Sequence, residues 1–326
     1  MTYSKPYLTY AQQVTHLETR GLSIPDQLSA IATLRAVGYY NFSGYLYSYR
    51  IPHPSGQGRS NQIAPGTTFP HVVALMQFDH QLRDSLLSGI QQIEISLRAQ
   101  IAHTLGAHDP FGYVNPASLD PNAILKQQTR NGITHSAFDW FGIEYQRLER
   151  RVSNEVYVRH NLDKYGPPLP IWVACEFLDF GASVNLYQLL TYEDRATIAA
   201  EAGLKQERTL RSWLTTLNYV RNICAHNARV WNRSLIQRIA LRPSDLPLEL
   251  KPLATAPQNK IYPVCAMTAY LLSNLNPDTE WGRTIAETLH AFPISSHRSM
   301  SEMGAPTTWA SEPIWNRITL PEKGTP

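Results

Sequence analysis

Residues 204–233 read LKQERTLRSWLTTLNYVRNICAHNARVWNR, and this stretch decides how the rest of the chain is interpreted. It belongs to a segment, 204–241, that contains neither glycine nor proline, so nothing local interrupts a helix there. Apolar residues recur in it at steps of three and four, the spacing of a buried helical face: Leu210, Trp213, Leu214, Leu217, Val220 and Cys224. We therefore predict a long amphipathic helix. Its opposite face spreads polar side chains over an arc of about 140°: Asn218, Arg221, Asn222, His226 and Arg229.

This polar face combines a side chain that moves protons with side chains that bind phosphate. Histidine gives or takes a proton near neutral pH, and arginine presents a permanent forked charge that fits a phosphate. Such groups can cleave RNA without a metal. A base removes the proton of a ribose 2′-hydroxyl, an acid protonates the leaving 5′-oxygen, and a cation stabilises the phosphorane. The residue types therefore predict a phosphodiester-cleaving site.

The spacing within the motif bears on how such a site is assembled. Asn222 and His226 are four residues apart and share a face, so the amide can orient the imidazole or its phosphate. Arg221 and His226 point about 140° apart. One way for them to converge on a single phosphate is to bring two such helices together about a two-fold axis. We therefore expect activity to depend on a homodimer.

The Arg-Asn-x-x-x-His pattern, with the Asn-Ala-Arg-Val-Trp-Asn-Arg that follows it, resembles the signature of HEPN ribonucleases. More narrowly, it resembles the Abi-like (abortive infection, AbiD/AbiF) proteins of bacterial antiphage defence. Further segments agree in the order that this family shows, from about residue 17 to residue 233: Gly38-Tyr39-Tyr40, Ser43-Gly44-Tyr45, Phe78-Asp79-His80-Gln81-Leu82-Arg83, Ile93-Glu94 through Arg98, Pro170-Ile171-Trp172, Glu176 and Phe180-Gly181.

The resemblance implies an all-α fold and a toxin-like, metal-independent endoribonuclease without cofactors, whose site is shared by two HEPN units. It would leave 2′,3′-cyclic phosphate and 5′-hydroxyl ends and so stop translation in an infected cell. Arg221 and His226 take the catalytic places, and Asn222 takes the polar position after the arginine. RNA is the expected substrate and a candidate bound regulator, and a restraining antitoxin-like partner is expected. We assign RNA-binding or supporting roles to Arg229, Asn218, Asn227, Trp231, Asn232, Glu94, Arg98, Arg83 and Asp79.

Other interpretations stay open on the residues alone. Arginine and histidine also occur five apart at 130–135, where Asn131-Gly132 predicts a turn, and at 98–103, where a second, degenerate site could lie on a helix. A different class of function is an RNA-binding protein that does not cleave. It would hold a structured RNA on the face of Arg221, Asn222 and Arg229. A helical scaffold without any role in nucleic-acid binding is the third alternative.

Composition limits the class of protein. The 326 residues are 43% hydrophobic and 17% charged, which is typical of a globular chain. The net charge is only +3, so affinity for RNA must come from a local arginine cluster. The three cysteines lie far apart and offer no metal-site spacing, which favours a reducing cytoplasm. Because no apolar run approaches 18 residues and the chain starts without a signal-peptide pattern, we expect neither a membrane span nor secretion.

Periodicity along the chain predicts an all-α, multi-helix bundle with a HEPN-like core and long irregular loops. Residues 1–68 form an N-terminal helical segment and loop. Residues 69–241 form the core, from helices over 69–105 (with Gly89 as a point where the helix could bend), 170–190 (hinged at Gly181) and 205–230. Residues 242–326 carry two more helices and an irregular tail that Trp309 and Trp315 could anchor.

A helix over 138–160 is predicted as an insertion into this core. It carries the densest basic cluster of the chain: Arg147, Arg150, Arg151 and Arg159. This cluster could contact the RNA backbone. The alternative, which the nearby glutamates at 144, 149 and 155 favour, is a solvated face that pairs with them.

Overall fold

The computed structural model describes residues 6–319, most of them in helices, so the predicted all-α class is confirmed. In chain order the helices are α1 Tyr10–Thr19, α2 Gln27–Val37, α3 Tyr39–Leu46, α4 Phe69–Gly106, α5 Pro121–Ile124, α6 Ala137–Arg151, α7 Val156–Tyr165, α8 Ile171–Phe177, α9 Phe180–Leu189, α10 Tyr192–Glu201, α11 Glu207–Ala225, α12 Ile261–Leu275, α13 Trp281–His290 and α14 Pro313–Thr319. Predictions that concern the first five residues and residues 320–326 lie outside the described part.

Strands within this part form two small antiparallel hairpins. In the first, β1 (Arg50–Pro52) pairs with β2 (Arg59–Ile63). In the second, β3 (Gln127–Arg130) pairs with β4 (Ile133–Ser136). Asn131 and Gly132 connect β3 to β4 with φ angles of 51° and 78°. Positive φ at both central residues is what a tight hairpin turn needs, and this confirms the turn predicted there.

By packing, the chain divides into two compact units. The first comprises the described residues up to Leu82 together with Thr288–Glu302, and the second comprises Arg83–Glu287 together with the described residues from Met303. The three segments predicted from the sequence divide the chain by composition instead, and they stay a prediction.

In the first unit, aromatic side chains pack the start of α4 against α3. The rings of Phe42 and Phe69 stack with their centroids 4.5 Å apart. The Tyr45 hydroxyl donates a 2.6 Å hydrogen bond to the carboxylate of Asp79, which is completely buried. A buried carboxylate needs such a donor to offset its lost hydration. Asp79 therefore belongs to the interior of this unit.

Gly89 lies within α4, which stays helical from Phe69 to Gly106. In the second unit the indole of Trp281 occupies the space that a side chain at position 89 would fill. The same indole donates a 2.6 Å hydrogen bond to the carbonyl oxygen of Ser85. The glycine thus permits a close approach of an aromatic ring to the helix.

The second unit is organised around α11. Trp213 on this helix is completely buried and donates a 3.0 Å hydrogen bond to the carbonyl oxygen of Ala240. Buried Arg195 on α10 lies 3.1 Å from Asp120 and 3.3 Å from Glu207, the first residue of α11. A buried ion needs such partners, because unpaired charge is costly away from water. The apolar face and the first turn of α11 are therefore both fixed.

The predicted anchoring of the tail is confirmed within this second unit. Trp309 and Trp315 are buried beside Tyr262 of α12, with ring centroids 6.3 and 6.2 Å from the Tyr262 ring. The Trp315 indole donates a 2.9 Å hydrogen bond to the Tyr262 hydroxyl, which in turn donates to the carboxylate of Glu312.

The motif helix is shorter than the segment without glycine or proline. It ends at Ala225, with His226 as the capping residue and Asn227 in the left-handed conformation at φ 53°. The Ala228 amide donates to the Ile223 carbonyl at 3.1 Å, and the Asn227 amide donates to the Cys224 carbonyl at 3.0 Å. These two bonds form a Schellman motif, in which asparagine takes the place usually held by glycine.

Two further helix predictions need correction. The helix predicted over 138–160 is two helices, because α6 ends at Arg151 and α7 begins at Val156. The break predicted at Gly181 lies earlier, between Phe177 and Phe180. Asp179 caps the N-terminus of α9 there by accepting the Ala182 amide at 2.9 Å. An N-cap of this kind starts a new helix and leaves Gly181 inside its first turn.

None of the described helices combines the length and the apolar character that crossing a membrane would require.

We predict that Gly203→Ala destabilises the protein more than Gly132→Ala does. Both glycines have positive φ, 75° and 78°. A Cβ at Gly203 would lie 2.7 Å from the Tyr270 hydroxyl and 2.8 Å from the Asn274 amide, whereas nothing lies within 4 Å at Gly132. Backbone strain alone costs about 1–2 kcal/mol, and overpacking adds about 1–3 kcal/mol. Urea unfolding of both variants measures the difference, and equal losses would contradict the packing argument.

Candidate active site

The polar face of α11 opens into a cavity of about 270 Å³, here called the Arg221 cavity. Four elements line it. The helix α11 contributes Asn218, Arg221 and Asn222. The start of α9 contributes Asp179, Gly181, Ala182 and Asn185. Glu144 of α6 and Arg130 of the β3–β4 hairpin complete the lining. Two of the three predicted catalytic residues and one supporting residue are therefore brought together.

The α9 wall of this cavity follows from its local sequence. Asp179 is held at the cavity by its role as the N-cap of α9. Gly181 has no side chain, and the amide of Asn218 lies 3.5 Å from where a Cβ would stand. The short turn thus lets α9 and α11 approach closely, with an acid and an amide facing the same space.

Arg221 is partly buried at this cavity and is positioned by polar neighbours. Its Nη1 donates a 3.3 Å hydrogen bond to the Oδ1 of Asn222. Glu94 on α4 is close enough to form part of its electrostatic surroundings, since Arg221 acts to lower the pKa of Glu94, and Asp179 lines the same cavity. With its carbonyl oxygen directed to Arg221, the Asn222 side chain has its amide hydrogens left for a ligand.

Glu94 and Arg98, four residues apart on α4, form an ion pair. Arg98 also approaches the carbonyl oxygen of Glu176 at 3.5 Å. Burial raises the pKa of Glu94, and nearby Arg98 and Arg221 only partly oppose that rise. The carboxylate is 8% exposed. The ionised Glu94 carboxylate is thus held beside two arginines at a cost in lost hydration. The Glu94–Arg98 ion pair is therefore partly buried and differs from a solvated surface salt bridge.

His226 lies outside the Arg221 cavity. It is exposed as the capping residue of α11, and its backbone amide donates a 3.1 Å hydrogen bond to the carbonyl oxygen of Asn222. The structure therefore places the imidazole one turn beyond Asn222, at the end of the helix. Within one chain the cavity that holds Arg221 does not include the imidazole.

The residues after His226 separate into exposed and buried positions. Asn227 is exposed, Arg229 is partly buried, and Trp231 is completely buried. The carbonyl oxygen of Asn232 accepts a 3.3 Å hydrogen bond from the Lys260 ammonium. Trp231 can therefore support the chain after the helix but offers no surface to RNA.

Two other predicted supporting residues are also enclosed. Asp79 is completely buried and bound to the Tyr45 hydroxyl, and Arg83 is 9% exposed. Neither presents the free surface that a phosphate contact requires. Asp79 and Arg83 are therefore interior residues, and their supporting roles stay predictions.

The predicted basic cluster on 138–160 is divided. Arg147 forms an ion pair with Glu144 and lies 3.6 Å from Asp179. The hydrogen bond from Arg147 lowers the pKa of Glu144. Arg150, Arg151 and Arg159 are exposed. Arg147 thus follows the paired alternative, and its partners belong to the rim of the Arg221 cavity.

Sequence reasoning did not assign four polar lining residues to the site: Arg130, Glu144, Asp179 and Asn185. Asp179 carried a signal, because an aspartate before Phe-Gly is a typical N-cap. Arg130 carried none, since the position of the hairpin beside α9 is set by tertiary packing. Two other Arg-x-x-x-x-His matches occur in the chain. In the match at 98–103, Arg98 forms an ion pair with Glu94. The match at 130–135 lies in the β3–β4 hairpin.

Among the described residues, no group of three or more histidine, cysteine, aspartate or glutamate side chains is arranged to hold a metal ion. Metal independence stays a prediction.

Comparison with known proteins yields one match. A family described as Abi-like protein matches residues 32–232, which include α4, α6 to α11 and the Arg221–His226 motif. No curated protein and no solved structure matches the chain.

We predict that Glu94→Gln gains stability relative to the wild type as the pH rises. A carboxyl whose pKa is raised on folding contributes stability below its unfolded pKa of about 4.3 and loses it as the pH rises through the folded value. Glutamine cannot ionise and has no such loss. The difference in melting temperature, variant minus wild type, should therefore grow between about pH 4 and pH 7.

Calorimetry or circular dichroism across this pH range measures the difference for Glu94→Gln. Glu201→Gln, at an exposed position on α10, is the matched control and should show a constant difference. If the Glu94→Gln difference shrinks as the pH rises, the ion pair with Arg98 outweighs the cost of burial.

Proposed function

The chain belongs to the Abi-like protein family, and from this premise we propose that it is a metal-independent endoribonuclease of the HEPN type. It would act in abortive-infection defence against phage and leave 2′,3′-cyclic phosphate and 5′-hydroxyl ends. One observation carries the proposal: Arg221 and Asn222 lie together in a cavity of about 270 Å³ on the polar face of α11. A cation and an amide in one concave site are the groups that a scissile phosphate needs.

In the proposed reaction, Arg221 binds the non-bridging oxygens of the scissile phosphate through its guanidinium fork. The Asn222 carbonyl accepts from Arg221, so its amide nitrogen donates to the same phosphate or to the histidine. Glu94 attracts the Arg221 side chain and so limits the positions that it adopts, and Asp179 lines the same cavity. His226 removes the 2′-hydroxyl proton or protonates the 5′-oxygen as it leaves.

A second protomer would complete the site. His226 is exposed at the end of α11 and does not line the cavity of its own Arg221. In a two-fold dimer, the histidine of one protomer can reach the cavity of the other while the reverse pair forms by symmetry. Because such a nuclease is lethal when active, its activity calls for a restraining antitoxin-like protein or a bound regulatory RNA.

The position of His226 outside the Arg221 cavity also favours a second candidate function. A cavity with arginine and amides but without the imidazole suits a protein that holds a structured RNA and does not cleave it. In that case His226 serves only as the helix cap, and the face of Arg221, Asn222 and Arg229 binds the RNA.

His226→Ala is expected to reduce cleavage of end-labelled total RNA in EDTA by about 100-fold or more, because general acid–base catalysis contributes that much. Arg221→Ala should lose about 100- to 1,000-fold, as when a charge-stabilising donor is removed from a site. His103→Ala, at the second Arg-x-x-x-x-His match, is the matched control and should keep full activity. Equal cleavage by wild type and His226→Ala would reject the proposed role of His226.

Mixing the two inactive variants tests whether the site is composite. A dimer of one Arg221→Ala chain and one His226→Ala chain retains one intact arginine–histidine pair across the interface. Random assortment after mild denaturation and refolding should therefore restore about a quarter of wild-type activity. Each variant refolded alone should stay inactive. No restoration, with dimers present by gel filtration, would contradict a site shared between protomers.

A further inference from the structure

Two more cavities continue from the Arg221 cavity within the second unit. The central cavity, of about 250 Å³, shares Arg130 and Asn185 with the Arg221 cavity. The distal cavity, of about 490 Å³, shares Lys126, Gln188 and Arg211 with the central one. Because neighbouring cavities share lining residues, the three lie next to one another along α11, and together they are here called the groove.

Two segments line the groove together with α11. The first provides Lys126, Gln128 and Arg130, at and before β3, in the central part. The second provides Gln237, Arg238, Ala240 and Arg242 in the distal part. The first segment is held in place by Trp140 of α6. Its indole donates a 2.9 Å hydrogen bond to the Gln128 carbonyl and lies under the Arg130 guanidinium at 4.9 Å.

Positive charge exceeds negative charge along the central and distal cavities. Their acidic lining residues, Asp120 and Asp245, are engaged by Arg195 and Arg208 at 3.1 and 3.0 Å. Arg211 lies 3.8 Å from Glu207. Among the ion pairs of the described residues, none involves the other four lining cations, which are all exposed: Lys126, Arg130, Arg238 and Arg242.

The length of the groove suits several nucleotides. Arg208 and Arg221 are thirteen residues apart on α11, and at 1.5 Å per residue they are separated by about 20 Å along the axis. A stacked strand rises about 3.4 Å per nucleotide, so about six nucleotides span this distance. The described residues that line the central and distal cavities include no aromatic side chain on which a base could stack.

We infer that a single strand of RNA lies along this groove, with its phosphates bound by Lys126, Arg130, Arg238 and Arg242. The inference rests on the proposed function, because the scissile phosphate at Arg221 defines one end of the strand. A positively charged groove of this kind can follow the backbone of a single strand, whereas a rigid duplex is contacted mainly across its wide minor groove. Phosphate contacts carry no sequence information. The groove therefore selects for single-strandedness and length and tolerates any sequence.

The test measures binding and does not depend on cleavage. The full chain with His226→Ala, which prevents breakdown of the probe, is titrated into labelled RNA and followed by fluorescence anisotropy. The probes are a 12-nucleotide single strand, a 4-nucleotide single strand and a 12-base-pair duplex. Arg238→Gln with Arg242→Gln removes two charges from the distal part of the groove. Arg159→Gln with Arg283→Gln removes two exposed charges elsewhere in the second unit and is the matched control.

The groove variant should bind the 12-nucleotide strand about ten-fold more weakly at 0.1 M salt, and its slope of log K against log salt should fall by about 1.4. Its affinity for the 4-nucleotide strand should fall less, since that probe is too short to contact the Arg221 cavity and the distal cavity at the same time. The control should match the unmodified background with all three probes. Circular dichroism confirms that both variants fold.

Three outcomes would overturn the inference: unchanged binding of the 12-nucleotide strand, an equal loss in the control, or tighter binding of the duplex than of the strand. An equal loss in the control would indicate that RNA binds to the exposed arginines of α7 and α13.

The experiments distinguish failure of this inference from failure of the proposed function. If the groove variant loses binding and the wild type does not cleave RNA, the groove inference stands and the proposed nuclease function is rejected. If the wild type cleaves RNA and the groove variant binds as before, the nuclease function stands and the groove inference is rejected.

Discussion

The burial of Trp213 fixes the helix on which the candidate site depends. The indole is completely enclosed, is hydrogen-bonded to Ala240, and meets the ring of Tyr270 edge-on at 6.5 Å between centroids. A helix that buries a large aromatic residue on one face cannot rotate without exposing it. The opposite face is therefore held outward, so Arg211 and Arg221, ten residues apart on it, contribute to one groove.

Charge is distributed unevenly around this face. At the Arg221 cavity, carboxylates accompany the cations: Glu94, Glu144 and Asp179 lie beside Arg98, Arg147 and Arg221. The distal part instead carries, beside the Arg208–Asp245 pair, the exposed Arg238 and Arg242, which form no ion pair among those of the described residues. Paired arginines are held in position, whereas unpaired ones contribute a field that attracts a polyanion. Such a division suits a groove that positions the scissile phosphate at one end and binds the other phosphates of the RNA along the remainder.

The sequence predicted the positions of the helices better than the residues at which they end or the segments that pack against them. The apolar spacing in α4 and α11 reports burial, so both helices were predictable. The end of α11 was not, because Asn227 takes the left-handed role that Gly203 plays after α10, and asparagine is a weaker signal. Arg221 and Asn222 were found from their motif. Arg130 joins them through the packing of a hairpin distant in sequence, which no local pattern encodes.

The packing of Tyr262, Trp309 and Trp315 also has a consequence for synthesis. A ribosome completes the Arg221–His226 motif before it makes α12, and the buried Trp315 comes later still. At about 5–20 residues per second, the nascent chain carries the motif for several seconds without the residues that close the core around α12. Chains released early from a broken message would contain the motif but lack this support. Because the core around α12 needs Trp309 and Trp315, it can close only after the Arg221–His226 motif has been synthesised.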